Sequence, residues 1–183
     1  MSDQKVIDKL KNIVGKRHII INSLRKQPFT KGWRYGRGEA VAVVKPGTLL
    51  EIWKVLQICV DEEIIIIMQA ANTGLTGGST PYGNDYDRQV LIINTMRIKD
   101  IHVIKEGKQV VGLTGSTLYE LEKILKPYGR EPHSIIGSTS IGASIVGGVC
   151  NNSGGSLVQR GPAYTELALY AKINQKGQLE LVN

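Results

Sequence analysis

Apolar positions along the chain follow a helical period in some segments and a continuous, strand-like run in others. The first helical segment is residues 3–14, which Gly15 ends. Its apolar face consists of Val6, Ile7, Leu10, Ile13 and Val14. Residues 16–39 show no clear period, so we treat them as a lead-in to the more regular sequence that follows.

A first module of regular elements begins after the lead-in. The pattern predicts a strand, a helix and two further strands, at residues 40–46, 48–62, 64–70 and 89–96. Thr48 and Glu51 have the spacing of a capping box at the start of the helix. The run IIIIMQA is rich in β-branched residues and predicts a strand buried on both faces.

A second module repeats this order. Residues 101–115 predict two strands around a Glu-Gly turn, and residues 117–129 predict a helix whose capping box is Thr117 and Glu120. The last residues predict a hairpin about Gln-Lys-Gly. In each module, a strand and a capped helix accompany a glycine-rich segment. We therefore expect an α+β fold of two small lobes, each with helices on a sheet.

The glycine-rich segments carry the candidate chemistry. Residues 70–79 are rich in glycine and hydroxyl groups and contain no charge, and backbone N–H groups in such a loop can bind an anion. The lack of Lys or Arg favours a diphosphate held by many amides. The loop matches neither the P-loop nor the Rossmann pattern. An ordinary surface turn is the alternative. In the second run, residues 135–156, small side chains would suit either a large flat ligand or close helix–sheet packing.

Charge and composition narrow the function only slightly. Residues 1–38 hold ten basic and two acidic side chains, a net charge of +8, whereas the rest of the chain has 13 basic and 14 acidic ones, a net charge of −1. This basic leader indicates an anionic lipid, nucleic acid or anionic substrate, or a solvated arm. Cys59 and Cys150 are predicted as reduced thiols of a cytosolic compartment. The histidines lack metal-site spacing, and no metal is expected.

Several motifs together resemble a known family. In chain order they are PGTLLEIWKVLQ, QAANTGLTGGSTP, YGNDYDR, LIINTMRIKDI, GREPHS and IGASIVGGVCNNSGGSLVQRGPAYTE. They resemble the FAD-binding domain of vanillyl-alcohol-oxidase-type flavoproteins. Within that superfamily, nearly all of residues 10–183 resembles the N-terminal part of the quinone-dependent D-lactate dehydrogenases of the bacterial respiratory chain.

The resemblance implies a fold, a cofactor and a set of binding residues. It implies the PCMH-type fold, in which two α+β subdomains hold FAD between them. Residues 1–38 would be the basic helix and lead-in, residues 39–100 the first subdomain and residues 101–183 the start of the second. Because no histidine lies between His18 and His102, FAD is expected to be noncovalent. The implied cofactor-binding residues are Ala70, Ala71, Asn72, Thr73, Gly74, Gly78 and Ser79 at the diphosphate, and Gly137, Ser144 and Gly154 nearer the flavin.

The resemblance also implies oxidation of D-lactate to pyruvate, with electrons passing to quinone. The family enzyme is longer, so we expect this chain to be a fragment that lacks the substrate-capping and membrane regions and is inactive alone. No residue is assigned as catalytic. The implied location is peripheral, on the cytoplasmic side of the inner membrane, where an anionic surface is a candidate partner and nucleic acid is not. The alternatives are another 2-hydroxy-acid dehydrogenase, or a noncatalytic basic module that binds nucleotide or nucleic acid.

Overall fold

A computed structural model describes residues 3–156, 158–161 and 167–183. These residues form two compact units, one within residues 3–97 and 167–183 and the other within residues 98–156 and 158–161. The C-terminal hairpin, predicted as part of the second subdomain, therefore groups with the first unit. The subdomain boundaries inferred from the resemblance stay predictions.

The first unit is built on a four-stranded sheet. Its elements are α1 (Asp3–Val14), β1 (Ile19–Ile20), α2 (Ser23–Thr30), β2 (Ala42–Val44), α3 (Leu49–Asp61), β3 (Ile65–Gln69), β4 (Val90–Asn94), β7 (Tyr170–Ile173) and β8 (Leu179–Val182). The strand order is β1-β2-β4-β3, in which β2, β4 and β3 are parallel and β1 is antiparallel to β2. The last two strands pair as a separate antiparallel hairpin. Because β3 and β4 are parallel, their carboxyl ends lie side by side, and the glycine-rich loop of residues 70–79 begins there.

Both faces of the central strands are covered. On one face, Leu91 and Ile93 of β4 pack in a buried cluster with Val55 of α3 and Leu10 of α1. On the other face, Val43 and Ile92 are buried and Phe29 of α2 packs against them. Alternate residues of a strand point to opposite faces, so a strand covered on both sides is apolar throughout. In β4 all five residues are buried.

The basic leader is part of this core. Val6, Ile7, Leu10 and Val14 are all buried, and Leu10 is completely inaccessible to solvent. Lys9 forms an ion pair with Glu62 next to the end of α3, with an Nζ–Oε1 distance of 2.5 Å. For α1 the solvated-arm interpretation is therefore wrong, because its apolar face completes the core while its polar face carries the charge. Sequence analysis also missed β1 and α2 in the lead-in, whose short lengths leave no periodic signal.

The second unit is smaller. It contains β5 (Ile101–Ile104), β6 (Gln109–Gly112), α4 (Leu118–Leu125) and α5 (Ile145–Cys150). The two strands form the predicted antiparallel hairpin. Leu118, Leu121 and Leu125 bury the inner face of α4 against Ala143. Residue 157 and residues 162–166, the end of the last motif quoted above, lie outside the described residues.

The capping boxes differ between the two modules. At α4 the predicted box is complete, because the Thr117 hydroxyl accepts from the N–H of Glu120 and the Glu120 carboxylate accepts from the N–H of Thr117. The Thr117 N–H and the Thr117 hydroxyl both donate to the Glu120 carboxylate and hold its pKa below the usual value. This contribution to stability is lost as the pH falls through that lowered pKa. At α3, Thr48 caps as predicted, but the Glu51 carboxylate accepts from the N–H of Gly47 instead.

The predicted strands are present but shorter. The prediction that the IIIIMQA strand is buried on both faces is wrong. Its central isoleucines in β3 are half-buried and Met68 is exposed, because β3 lies at the edge of the sheet. The strand that is buried on both faces is its neighbour β4.

Candidate cofactor-binding site

The loop that follows β3 leaves its backbone amides available. Among the described residues, none accepts a hydrogen bond from the backbone N–H groups of residues 71–79. Pairing resumes at Thr80, whose N–H donates to the carbonyl of Gly77. A run of successive N–H groups without protein partners can form a concavity suited to an anion. A role of these amides at the FAD diphosphate stays a prediction.

Two glycines of this loop are not required by the protein around them. A Cβ built on Gly74 or on Gly78 meets no atom within 4 Å, and neither residue has a positive φ. By contrast, Gly36 next to the loop has a φ of +87° and a Cβ there would lie 2.0 Å from the Thr80 hydroxyl. Gly36 is thus needed for packing. Gly74 and Gly78 leave open space beside the loop backbone, as close approach of a ligand to the backbone requires.

The remaining predicted residues of the first loop have distinct environments. Ala70, Ala71 and Thr73 are half-buried. The Ala70 carbonyl accepts from Asn94 Nδ2 at 2.8 Å, which fixes the start of the loop. Asn72 and Ser79 contact each other through their side chains, with an Oδ1–Oγ distance of 2.9 Å. The structure therefore brings the seven predicted residues together on one loop of the first unit.

The second glycine-rich run lies in the other unit. Gly137 is exposed, and a Cβ on it meets nothing within 4 Å. Ser144 is buried and caps α5, where its hydroxyl accepts from the N–H of Gly147 at 3.0 Å. Gly154 is half-buried beside Gly155, which pairs with Ile135. Ser144 therefore has a structural task that sequence analysis had not assigned to it, and a role of these three residues at the cofactor stays a prediction.

Three side chains that could act as acid, base or nucleophile have defined environments, namely Cys59, His102 and His133. Burial raises the pKa of the Cys59 thiol to about 12, so that thiol stays protonated and unreactive. His102 lies 3.1 Å from a carboxylate oxygen of Asp100, and a ring nitrogen of His133 lies 3.3 Å from the Gly161 carbonyl. Across the described ranges, no group of three or more His, Cys, Asp or Glu is placed to hold a metal ion.

An aromatic and basic projection lies next to the loop. Residues 31–37, which we call the finger, fold back on themselves through pairing of Lys31 with Arg37. Its exposed aromatic side chains are Trp33 at 67% and Tyr35 at 63%, with Tyr82 nearby at 77%. Together with Arg34 they line an open cleft of about 520 Å³ that has no acidic lining residue.

The class of the protein follows from the family match, and it is a flavin-binding protein. The FAD binding domain family matches residues 40–177, three quarters of the chain, and the chain belongs to that family. The expected cofactor, FAD, is thereby confirmed.

Curated relatives point to a narrower group. The chain is 61% identical over all 183 residues to the quinone-dependent D-lactate dehydrogenase of Haemophilus influenzae, of which it covers 32%. It is 59% identical over 177 residues, 97% of the chain, to the enzyme of the same name from Escherichia coli, of which it covers 31%. The chain thus spans about a third of the length of the curated relatives it matches.

Solved structures confirm the predicted fold class. An alkyldihydroxyacetonephosphate synthase superposes on the whole chain with a TM-score of 0.76 at 16% identity, over 35% of its own length. A p-cresol methylhydroxylase superposes on 81% of the chain with a TM-score of 0.64 at 17% identity, over 29% of its own length. These likenesses show the vanillyl-alcohol-oxidase-type fold.

Two buried amides near the loop were missed by sequence analysis. Gln69 ends β3 and Asn94 ends β4, and both are buried where the loop begins. The available signal was the polar residue that closes each apolar run, at IIIIMQ and VLIIN. A buried amide needs hydrogen-bond partners, so its presence at a strand end predicts a specific contact there.

Proposed function

We propose that this chain supplies the FAD-binding part of an enzyme that oxidises D-lactate to pyruvate and passes the electrons to a quinone. The identity of 61% over all 183 residues to a quinone-dependent D-lactate dehydrogenase supports this substrate and acceptor. The observation that carries the proposal is the free amides of residues 71–79 beside open space at Gly74 and Gly78.

The chain's own task is binding and orientation. FAD, when bound, supplies the redox chemistry, and the protein holds it in place. The amides of residues 71–79 would neutralise the diphosphate without a cation, and the Thr73 and Ser79 hydroxyls would assist. The loop from 70 to 79 contains no His or Cys, which supports a noncovalent cofactor. Gly137, Ser144 and Gly154 are proposed contacts towards the flavin end.

A visible absorption spectrum tests FAD binding by the chain. We expect protein mixed with FAD and then freed of excess cofactor to retain flavin absorption, and denaturation to release FAD unchanged because no covalent bond holds it. A chain that stays colourless after mixing with excess FAD would contradict the proposal. It would favour the alternative of a basic module that binds nucleic acid.

The chain alone should not oxidise D-lactate even when it holds FAD. Turnover needs a base within hydrogen-bond reach of the substrate hydroxyl and groups that orient the carboxylate. The chain spans only about a third of its curated relatives, and sequence analysis assigned no such base. Dye-linked assays with excess FAD should give no steady turnover. Steady D-lactate oxidation that His133→Ala abolishes would show that the chain carries its own base.

We further propose a peripheral location at an anionic membrane, on its cytoplasmic side. Among the described residues, no helix has both the length and the apolar character to cross a membrane. The finger instead offers the combination that lies well at a bilayer surface, because Trp33 and Tyr35 suit the headgroup region and Lys31, Arg34 and Arg37 attract anionic lipid. Truncation at Gly38 cannot test this idea, since it would remove the core residues of α1.

Charge reversal on the finger is the suitable test. Arg34→Glu should weaken sedimentation with phosphatidylglycerol vesicles at low salt by about fivefold or more, since each basic residue near such a surface contributes about 1 kcal/mol. Trp33→Ala should weaken sedimentation more than Arg34→Glu does at higher salt, where charge attraction is screened. Lys176→Glu, in the turn of the C-terminal hairpin, makes the same change in net charge as a control. Equal losses at Arg34 and Lys176 would exclude the finger as the contact.

A further inference from the structure

Gln69, the last residue of β3, connects this strand to α2 and to Ser79, at the other end of the glycine-rich loop. Its Nε2 group donates to the carbonyl of Ser79 at 2.7 Å and to the carbonyl of Phe29 at 2.9 Å. Its Oε1 atom lies 3.3 Å from Asn94 Nδ2, which donates to it. The side chain is buried, so it uses both amide protons and its oxygen on fixed partners.

A second cross-link lies three residues further on. Asn72 Nδ2 donates to the Lys31 carbonyl at 2.9 Å and to the Pro28 carbonyl at 3.3 Å. Asn72 Oδ1 accepts from the Ser79 hydroxyl. The φ of Asn72 is +56°, in the left-handed region that asparagine tolerates better than most residues. We call Gln69, Asn72, Ser79 and Asn94 the neck of the loop, since their bonds join its two ends.

The neck determines how the free amides are presented. Residues 73–78, which we call the apex, lie within the span that the Asn72–Ser79 bond closes. Their N–H groups have no partner among the described residues that could fix their direction. A loop that is ordered before binding avoids the entropy that ordering would cost on binding. The side-chain bonds of the neck thus hold the loop in shape while the N–H groups of the apex stay available for a ligand.

We propose that Gln69 is a positioning residue for the FAD diphosphate, which it does not touch but whose amide cradle it holds in shape through Ser79 and Phe29. This inference rests on the proposed function, in which the diphosphate lies on residues 71–79. It differs from a purely structural role of Gln69, which would affect the stability of the fold without changing the order of the apex or the affinity for FAD.

The experiment compares Gln69→Met with Gln57→Met. Methionine keeps the length of the side chain but removes both donors. Gln57 lies on α3, away from the loop in sequence, and its side-chain amide donates to Asp61 of the same helix. FAD affinity is measured by fluorescence titration, and the order of residues 73–78 in FAD-free protein by amide NMR relaxation. We expect Gln69→Met to raise the FAD dissociation constant about tenfold or more and to increase motion at residues 73–78 but not in β4. Gln57→Met should match wild type.

A second variant covers the case in which Gln69→Met does not fold. Asn72→Gly removes the other cross-link, keeps a residue that accepts the positive φ and leaves the buried core intact. Because Asn72 is also a predicted diphosphate contact, the deciding measurement for this variant is apex motion in FAD-free protein, which should increase as it does in Gln69→Met. Folded variants that bind FAD within about twofold of wild type, with a rigid apex, would overturn the inference. If wild-type protein itself fails to bind FAD, the proposed function fails first, so the two failures are distinguishable.

Discussion

Gly78→Val should abolish most FAD binding while leaving the FAD-free protein folded. A Cβ at this position meets no protein atom within 4 Å, so the valine has room in the free protein. It would add a side chain to the loop of free amides, residues 71–79, on which the diphosphate is proposed to lie. We expect the FAD dissociation constant to rise by about 100-fold, which corresponds to about 2.7 kcal/mol of lost binding free energy. Gly74→Val should have a similar effect.

This prediction has two controls, the stability of the FAD-free variant and the FAD affinity of a surface variant. Because the substituted residue is more restricted in the unfolded chain, the free energy of unfolding of the FAD-free variant should be unchanged or slightly higher. Lys108→Ala, on the exposed turn before β6, should bind FAD as wild type does. Wild-type affinity in both glycine variants would show that the loop does not carry the diphosphate.

Leu10→Ala should cost about 2–5 kcal/mol of folding free energy, in the range found when a large apolar side chain is removed from a packed core. Leu10 lies on the basic leader but is completely buried against the sheet, in the cluster that contains Val55 and Leu91. Urea unfolding monitored by circular dichroism measures the loss. The midpoint should fall with little change in the slope.

Leu24→Ala is the matched control, because this leucine lies in the same leader but is 72% exposed on α2. Its effect should stay within about 0.5 kcal/mol. If Leu10→Ala were as mild as Leu24→Ala, the leader would not be part of the core, and the solvated-arm interpretation would return.

The sequence predicted long and periodic elements well, and elements set by tertiary context poorly. The apolar face of α1 and the capping box of α4 are local patterns, and both were found where expected. The burial of β3 was overestimated because its composition resembles that of β4, while its position at the sheet edge depends on strand order. Strand order is a long-range property that no short window of sequence contains.

In the candidate site, too, local features were predicted and features set by tertiary contacts were not. The glycines and hydroxyls of residues 70–79 indicated a loop with free amides, and the structure has those amides without partners among the described residues. The neck was not predicted, because Gln69 meets Phe29 across 40 positions of sequence and Asn72 meets Lys31 across 41. Such pairings follow from the way α2 packs beside β3, and only the folded chain shows them.

Amide NMR during an FAD titration tests the central claim most directly, that backbone N–H groups of residues 71–79 bind the diphosphate. The account predicts large shifts of the resonances of residues 71–79, as these amides exchange water for phosphate oxygens, and no shifts in the hairpin turn at residues 174–177. Protection of the same amides from hydrogen exchange should rise with FAD. Saturation of the protein with FAD while the resonances of residues 71–79 stay in place would contradict the account.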